Sequence, residues 1–335
     1  MASEQKNPAN RIWVLADDRS GNRSQCIGIA DRLNLPYTVK EIRYNFLAKL
    51  PNFLRWATRI GLDGKSLKIV KGPWPEVVIA AGRRSAPVAR FIKRKSPKTR
   101  LLHLMWPDAG AKDFDTIVLP SHDRERKETP QILRVLGAPH GITPKTLEKA
   151  SKEWFPKFAD LPKPRIALLV GGSSKHGTFQ VPDYHRLGAL AAAMATQHHG
   201  SLLVTTSRRT GEEGEEALKS HIDHLPNYFH HFGSEGSNPY QGMLAVADAI
   251  IVTADSVGMC SEACSTGKSV YFFAPTKLSK KHGRFISTLI ATGYALPLIE
   301  DLPSGLPLTS LKRSPLDTAS TIAKHIRTQW LGFRD

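Results

Sequence analysis

The residues best suited to chemistry lie in one stretch, Ala247 to Pro275, which reads ADAIIVTADSVGMCSEACSTGKSVYFFAP. The pattern predicts a buried strand at Ala249 to Val252, a polar turn at Thr253 to Gly258 and a short helix at Met259 to Ser265. Three acidic or hydroxyl side chains lie in or just past the turn: Asp255, Ser256 and Glu262. Where a parallel strand turns into a helix, free backbone N–H groups and the helix dipole point at one spot. The stretch therefore predicts a site for an anionic or hydroxyl-rich ligand.

Glycines, hydroxyls and arginines follow the two preceding strands of the second half. Leu169 to Gly177 reads LVGGSSKHG, and its small residues let the backbone approach a phosphate: Gly171, Gly172, Ser173 and Ser174. Thr205 to Gly211 reads TTSRRTG, in which Arg208 and Arg209 follow Ser207. Two guanidinium groups suit a diphosphate, because arginine forms bidentate contacts with phosphate oxygens. A plain glycine turn and solvated loop arginines are the alternatives.

Carboxylates follow the first strand of the chain. Asp17 to Gln25 reads DDRSGNRSQ and fills the first predicted strand-to-helix turn. Asp17 or Asp18 could act as a general base on an acceptor hydroxyl, and a helix-capping role is the alternative. Two more polar loops follow later strands of this half, Ala80 to Ser85 with paired arginines and Met105 to Asp108 with a weaker base candidate, Asp108.

Two familiar kinds of site are not supported. The dinucleotide fingerprint G-x-G-x-x-G is absent, and Thr178 and Phe179 stand where a Walker loop needs Lys and Ser or Thr. Cys260 and Cys264 are one helical turn apart, but no further Cys or clustered His completes a ligand set. We therefore expect these cysteines to pack in the core, and we expect no metal and no cofactor.

Short apolar runs that end in turn residues alternate with helical patterns along the whole chain. This alternation, which restarts in the second half, predicts an α/β protein with two parallel sheets, each covered on both faces. We expect an N-terminal domain at 1–145, a C-terminal domain at 160–315, and a last helix in 316–335 that packs back towards the first domain. The Pro- and Gly-rich stretch 139–164, with a helical piece in its middle, is expected to connect the domains.

The charge of the chain favours anionic partners. Lys and Arg total 47 against 30 Asp and Glu, which gives a net charge of +17. Such a surface attracts nucleic acid, nucleotide phosphates or an acidic membrane leaflet. No signature of a nucleic-acid fold is present, so we expect no specific nucleic-acid partner. Three cysteines, no long apolar run and no apolar leader predict a cytoplasmic protein, or one peripheral on the inner membrane face.

A basic, aromatic-rich segment stands out in the first half. Arg43 to Gly61 reads RYNFLAKLPNFLRWATRIG, which Pro51 divides into two short pieces. Such an amphipathic segment can lie in a membrane interface, and an ordinary helix packed on the sheet is the alternative. A neighbouring basic run from Arg90 to Arg100 is expected to be a solvated face.

Four motifs resemble the mitochondrial fission ELM1 family of bacteria and plants. They are VLADDRSGNRSQCIGIADRL at Val14 to Leu33, LLVGGSSKHG at Leu168 to Gly177, TTSRRTG at Thr205 to Gly211, and VTADSVGMCSEACSTGKSVYFF at Val252 to Phe273. The resemblance implies a GT-B glycosyltransferase architecture, in which two Rossmann-like, doubly wound parallel-sheet domains face a central cleft. The domain at 1–145 would face the acceptor or the membrane, and the domain at 160–315 would bind the nucleotide sugar. The last motif is similar to the donor-binding turn of heptosyltransferases, so the resemblance implies donor contacts by five residues: Asp255, Ser256, Gly258, Met259 and Glu262. It also implies that 171–174 and 207–209 hold the base or phosphates.

The resemblance leaves two functions open. One is a glycosyltransferase that uses a nucleotide-activated sugar and acts on a membrane glycolipid such as a lipopolysaccharide core. The other is a non-catalytic adaptor of GT-B shape that recruits a membrane-remodelling partner, the role associated with plant members. The loop at 21–25 lacks the His of MurG-type transferases, so the base is left among Asp17, Asp18 and Asp108. A sugar-nucleotide epimerase fits poorly, because the glycine fingerprint and a Tyr-x-x-x-Lys pair are both missing.

Overall fold

The computed structural model describes residues 11–123, 128–174, 177–300, 308 and 314–333. Residues 1–10, together with Lys175 and His176 of the glycine-rich motif, lie outside the described residues. The strands are β1 Ile12–Ala16, β2 Tyr37–Glu41, β3 Val77–Ala81, β4 Arg100–Leu104, β5 Thr116–Pro120, β6 Ile132–Val135, β7 Arg165–Leu169, β8 Gly177–Thr178, β9 Ser201–Thr205, β10 Asn227–His230, β11 Ala249–Thr253, β12 Ser269–Phe273, β13 Lys277–Leu278 and β14 Leu296–Pro297. The helices are α1 Ser20–Arg32, α2 Asn52–Arg55, α3 Gly64–Ile69, α4 Ala86–Lys95, α5 Pro144–Trp154, α6 Val181–Gln197, α7 Gly211–Ile222, α8 Tyr240–Val246, α9 Val257–Cys264, α10 Lys280–Ala291 and α11 Thr318–Trp330.

The chain forms two compact units. Unit 1 comprises 1–141 together with 317–335, and unit 2 comprises 142–316. Each unit contains a six-stranded sheet in which every pair of neighbouring strands is parallel. The predicted class of two α/β domains with parallel sheets is confirmed. None of the described helices has the length and apolar content that a membrane span requires.

The sheet of unit 1 has the strand order β2-β1-β3-β4-β5-β6. Strands β1 and β3 are buried along their whole length, as expected for a sheet that is covered on both faces. Alternate residues of these strands pack on one face against α1 and α11 and on the other against α4. The apolar runs read from the sequence therefore form the two cores of one layered unit.

The C-terminal helix completes the core of unit 1. Ala319, Ile322 and Ile326 of α11 are buried against the sheet and α1. Asp317 caps α11 by accepting from the Ser320 N–H at 3.0 Å, and it also pairs with Arg32 of α1 at 3.0 Å. The last helix of the chain is thus an integral layer of unit 1.

The sheet of unit 2 has the order β10-β9-β7-β11-β12-β14. Counted within the unit, this is the order 3-2-1-4-5-6 of a dinucleotide-binding sheet. Helices α6 and α7 cover one face and approach closely, because a Cβ atom at Gly214 would lie 2.8 Å from the ring of Tyr184. The strands β8 and β13 form a separate antiparallel pair.

The structure differs from expectation at two places. The helix in the expected connection, α5, packs in unit 2 against α8, where a Cβ atom at Gly242 would lie 2.2 Å from Trp154. Arg90 is buried and pairs with Asp113 at 2.6 Å, so this residue does not belong to a solvated face. An arginine can be buried when a carboxylate compensates its charge, and sequence pattern alone does not reveal the partner.

Candidate functional site

Each sheet contains a point where the strand order reverses. In unit 1 the reversal falls between β1 and β3, and in unit 2 it falls between β7 and β11. In open α/β sheets, ligands bind outside the carboxyl ends of the strands at this point. The polar loops predicted from the sequence follow these same strands: 17–18 after β1, 82–85 after β3, 171–174 after β7 and 254–256 after β11. The structure therefore brings the candidate residues of each unit together at its own switch point.

A buried ion pair organises the switch point of unit 2. The Asp255 carboxylate is buried, and its Oδ2 lies 2.7 Å from Arg209 Nη2. The same oxygen accepts from the Gly172 N–H at 3.2 Å, and Arg209 Nη1 donates to the Gly172 carbonyl at 2.8 Å. Asp255 thus joins the loops after β7, β9 and β11, although the resemblance implied that it contacts the donor directly.

Packing explains the two adjacent glycines after β7. A Cβ atom at Gly171 would lie 2.2 Å from Asp255 Oδ1, and one at Gly172 would lie 2.1 Å from the Arg209 carbonyl oxygen. Their amides are already used, because Gly171 N–H donates to Thr253 Oγ1 at 2.7 Å and Gly172 N–H donates to Asp255. The neighbouring Ser173 hydroxyl exchanges hydrogen bonds with the backbone of Phe179. The amides of both glycines in the loop 171–174 therefore donate within unit 2 and are not open to a ligand.

The open donors of unit 2 lie at the start of α9. Ser256 caps this helix by accepting from the Met259 N–H at 3.3 Å. Among the described residues, the Val257 and Gly258 amides have no hydrogen-bond acceptor, and a Cβ atom at Gly258 would meet only Ser256 Oγ at 3.9 Å. Arg208, on the loop after β9, is exposed and makes no ion pair with any described residue. This edge can accept an anion through two amides, a helix dipole and a guanidinium group.

Glu262 is engaged with a tyrosine that the sequence did not single out. Its Oε2 accepts from the Tyr240 O–H at 2.5 Å, inside unit 2. Burial raises the pKa of the Glu262 carboxyl above its ordinary value, and the Tyr240 hydrogen bond opposes that rise. Glu262 lies on the second turn of α9, and its observed contact is with Tyr240.

We expect Glu262→Gln to raise the thermal unfolding midpoint at neutral pH and to change it little in acid. Because the folded-state pKa lies above 4.5, the stability that protonated Glu262 contributes is present below 4.5 and is lost as the pH rises through the folded pKa. Glutamine stays neutral and still accepts from Tyr240. Calorimetry between about pH 4 and about pH 8 measures the effect, with exposed Glu213→Gln as the control. Equal pH profiles for wild type and Glu262→Gln would contradict it.

Both candidate bases after β1 lie beside one arginine. Buried Asp17 accepts from the Arg19 N–H at 3.1 Å and from Asn22 Nδ2 at 3.0 Å. Arg84, from the loop after β3, lies 3.6 Å from Asp17 Oδ2 and forms a salt bridge with the exposed Asp18. Asp17 therefore orders the start of α1, whereas Asp18 faces solvent at the strand end.

Asp108 joins the same edge from the loop after β4. Its Oδ2 lies 3.8 Å from Arg83 Nε, and its backbone has a positive φ of 65°. An aspartate tolerates this left-handed conformation better than most residues. Asp17 and Asp18 after β1 and Asp108 after β4 thus lie next to the paired arginines that follow β3. A cavity of about 570 Å³ opens beside Asp17 and Asp18.

The structure adds one residue to this edge that sequence reasoning missed, a tyrosine. Tyr44 lines the cavity beside Asp17, and the Arg84 guanidinium lies 4.6 Å from the centre of its ring. Burial raises the pKa of the Tyr44 hydroxyl, with Asp17 acting in the same direction. Tyr44 lies after β2, in the segment interpreted only for its apolar pattern. Its position after a strand was the signal that could have identified it.

Residues 20–330 match the family described as Mitochondrial fission ELM1. The chain is 32% identical over 350 residues to the uncharacterised protein RP120 of Rickettsia prowazekii (strain Madrid E), which covers 94% of this chain and 97% of the relative. It is 29% identical over 280 residues to the mitochondrial fission protein ELM1 of Arabidopsis thaliana. That match covers 76% of this chain and 64% of the plant protein.

Solved structures share the fold at low sequence identity. The UDP-GlcNAc 2-epimerase of Methanocaldococcus jannaschii matches with a TM-score of 0.59 and 14% identity over 96% of this chain and 99% of the epimerase. MurG of Acinetobacter baumannii matches with a TM-score of 0.50 and 13% identity over 95% of this chain and 99% of MurG. The fold is therefore GT-B-like, with two Rossmann-like domains. A UDP-GlcNAc 2-epimerase thus shares the fold, although the sequence argument had set sugar-nucleotide epimerases aside.

Proposed function

Because the chain belongs to the mitochondrial fission ELM1 family and has a GT-B-like fold, we propose that it is a glycosyltransferase that uses a nucleotide-activated sugar. Unit 2 binds the donor and unit 1 binds the acceptor. The observation that carries the proposal is the open edge of unit 2. There the free amides of Val257 and Gly258 follow β11 at the switch point of a sheet with nucleotide-binding strand order, and the exposed Arg208 follows β9, the neighbour of β7.

Arginines and helix amides supply the electrostatic part of the proposed reaction. In a sugar transfer the acceptor oxygen forms a bond to the anomeric carbon of the sugar while the bond from that carbon to the phosphate oxygen of the donor breaks. The nucleoside diphosphate or monophosphate that leaves gains negative charge, and the acceptor proton goes to a base. Preorganised donors aimed at that charge stabilise the transition state. Arg208 and the α9 amides would contact the departing phosphate directly, and Asp255 would hold Arg209 beside it. We propose that this arrangement works without a metal ion.

In unit 1, an aspartate activates the acceptor hydroxyl in our proposal. Asp17, Asp18 and Asp108 are the candidates, and they differ in access to solvent. Asp17 is buried and already accepts two hydrogen bonds, whereas Asp18 and Asp108 are exposed. A base must come within hydrogen-bond reach of the hydroxyl proton, so exposure favours the latter two.

The acceptor that we propose is a membrane glycolipid such as a lipopolysaccharide core, reached by peripheral attachment of unit 1. Support comes from α2, which buries polar side chains and exposes apolar ones, the reverse of an ordinary surface helix. Asn52 and Arg55 are 2% and 0% exposed and donate to backbone carbonyls of the strand-end loops, whereas Phe53, Leu54 and Trp56 are 66%, 59% and 60% exposed. Exposed clusters of large apolar side chains mark interaction surfaces.

We call this surface the apolar strip. It consists of seven exposed side chains between the end of β2 and the end of α3: Phe46, Leu50, Phe53, Leu54, Trp56, Ile60 and Leu67. More than half of the exposed large apolar side chains among the described residues belong to it. Basic residues alternate with them, including Lys49 and Arg59. This mixture suits the interface of an anionic bilayer.

Arg208→Ala is expected to weaken binding of a nucleotide diphosphate about 10- to 100-fold, because one charge-assisted contact is lost. Its side chain is exposed and makes no ion pair or hydrogen bond with a described residue, so the fold should be unchanged. Calorimetric titration with UDP, UDP-GlcNAc, GDP, ADP and CMP measures the loss and identifies the nucleotide. Lys149→Ala on α5 removes one exposed charge of the same unit and serves as the control.

The second candidate function is a GT-B-shaped adaptor that recruits a membrane-remodelling partner. The salt bridge between Arg84 and the exposed Asp18 favours it, because it engages a carboxylate that catalysis would have to present to the acceptor. The nucleotide titration separates the two functions. If no nucleotide or nucleotide sugar binds to the intact wild-type chain, the glycosyltransferase proposal fails and the adaptor is favoured.

A further inference from the structure

A cavity of about 960 Å³ lies along α4 of unit 1 and shares no lining residue with the cavity beside Asp17. The cavity results from the way in which strands β4 and β5 are connected. The connection from β4 to β5 spans residues 105–115 and contains one 3-10 turn, Ala111–Asp113, whereas parallel strands are usually joined through an α-helix. Because this connection provides no full helix beside α4, a groove stays open between α4 and the loop.

The walls of the cavity have an excess of positive charge. Five basic residues line it together with two aspartates, Asp113 and Asp115. Arg90 pairs with Asp113, while Lys93 and Arg100 share Asp115 at 2.9 and 2.8 Å. Arg94 and Lys112 are exposed and have no ion-pair or hydrogen-bond partner among the described residues. A concave surface of one sign concentrates ligands of the opposite sign, so the cavity favours an anion.

Apolar groups form the rim beside these cations. Phe53 and Trp56 of the apolar strip also line the cavity, and Trp330 of α11 lines it as well. A ligand seated against Arg94 and Lys112 would therefore place any attached hydrocarbon along the strip. Free phosphate would leave these aromatic side chains in water, whereas an amphiphile with an anionic group would cover them.

We infer that this cavity binds the phosphate-bearing headgroup of an anionic membrane lipid. The inference rests on the proposed membrane attachment of unit 1 and adds a specific headgroup site to it. The strip enters the acyl region without regard to headgroup, and the cavity selects anionic lipid. Such a division gives two signals for attachment, one apolar and one electrostatic.

The test uses the full chain and dihexanoyl phosphatidylglycerol below its micellar concentration, with binding followed by tryptophan fluorescence and calorimetry. We expect saturable 1:1 binding to wild type. The double variant Arg94→Ala/Lys112→Ala should bind about tenfold or more weakly, because it loses both unpaired cations. The matched control Lys145→Ala/Lys149→Ala removes two exposed charges from α5 in unit 2 and should bind like wild type.

Each alternative outcome decides the inference. It is overturned if wild type shows no saturable binding, if both double variants weaken equally, or if inorganic phosphate or a short single-stranded oligonucleotide binds as tightly as the lipid. Short-chain lipid binding without attachment to vesicles supports the cavity and overturns the proposed membrane attachment. Nucleotide binding should be unchanged in Arg94→Ala/Lys112→Ala, so failure of the donor site is observed separately.

Discussion

Asp255→Ala is expected to lower the free energy of unfolding by about 3 kcal/mol and to abolish nucleotide binding. Removing one partner of a buried ion pair costs about 3–5 kcal/mol, and the lower end applies because Arg209 is partly exposed. The change also deprives the Gly172 N–H of its acceptor. Because three strand-end loops meet at this carboxylate, its loss should disorder the whole donor edge.

Calorimetric unfolding and nucleotide titration together check this result. Asp223→Ala removes an exposed carboxylate of the same unit and should change the free energy of unfolding by at most about 0.5 kcal/mol. Asp255→Asn keeps the shape and one acceptor oxygen, so it should fall between Asp255→Ala and wild type. An Asp255→Ala protein with the wild-type unfolding midpoint would show that the ion pair does not hold the loops.

Phe46→Ser/Leu54→Ser is expected to lower the partition coefficient onto anionic vesicles about 100-fold. Burying a large apolar side chain contributes about 1.5–3 kcal/mol, and about 1.4 kcal/mol corresponds to a factor of ten. Both side chains are among the most exposed apolar groups of the described chain, so serine should leave the fold intact. Neither residue lines the cavity along α4, so the headgroup site is preserved.

Vesicle sedimentation with the full chain measures this loss. Phe232→Ser replaces an aromatic residue of similar exposure in unit 2 and should partition like wild type. If the strip variant and wild type sediment equally, unit 1 does not attach through the strip. The short-chain lipid titration of the same variant then shows whether the headgroup cavity acts alone.

Much of the fold was readable from local pattern. The runs at Val77 to Ala81 and Ser201 to Thr205 are short, apolar and followed by turn residues, and each is a fully buried strand. A strand of a parallel sheet is buried on both faces, so its sequence shows the run directly. The order of strands within each sheet was not readable, because it depends on contacts between distant residues. That order is what locates the switch points.

The location of the candidate site could be predicted from the sequence, but the contacts of its residues could not. The loops after β7, β9 and β11 were predicted to be polar edges, and the structure gathers them. Sequence could not show that the Gly171 and Gly172 amides donate inward, nor that Glu262 meets Tyr240 across 22 positions. The same limit applies to α2, where periodicity cannot tell which face of an apolar and basic segment turns to solvent.

The packing of α11 in unit 1 has a practical consequence for dissecting the molecule. Unit 2 is one continuous piece of chain, 142–316, inserted between two pieces of unit 1. A fragment that stops at residue 316 lacks Ala319, Ile322 and Ile326 and exposes one face of α1. Truncation from the carboxyl terminus therefore damages the amino-terminal domain first, and excision of 142–316 with a short splice is the route to separate domains.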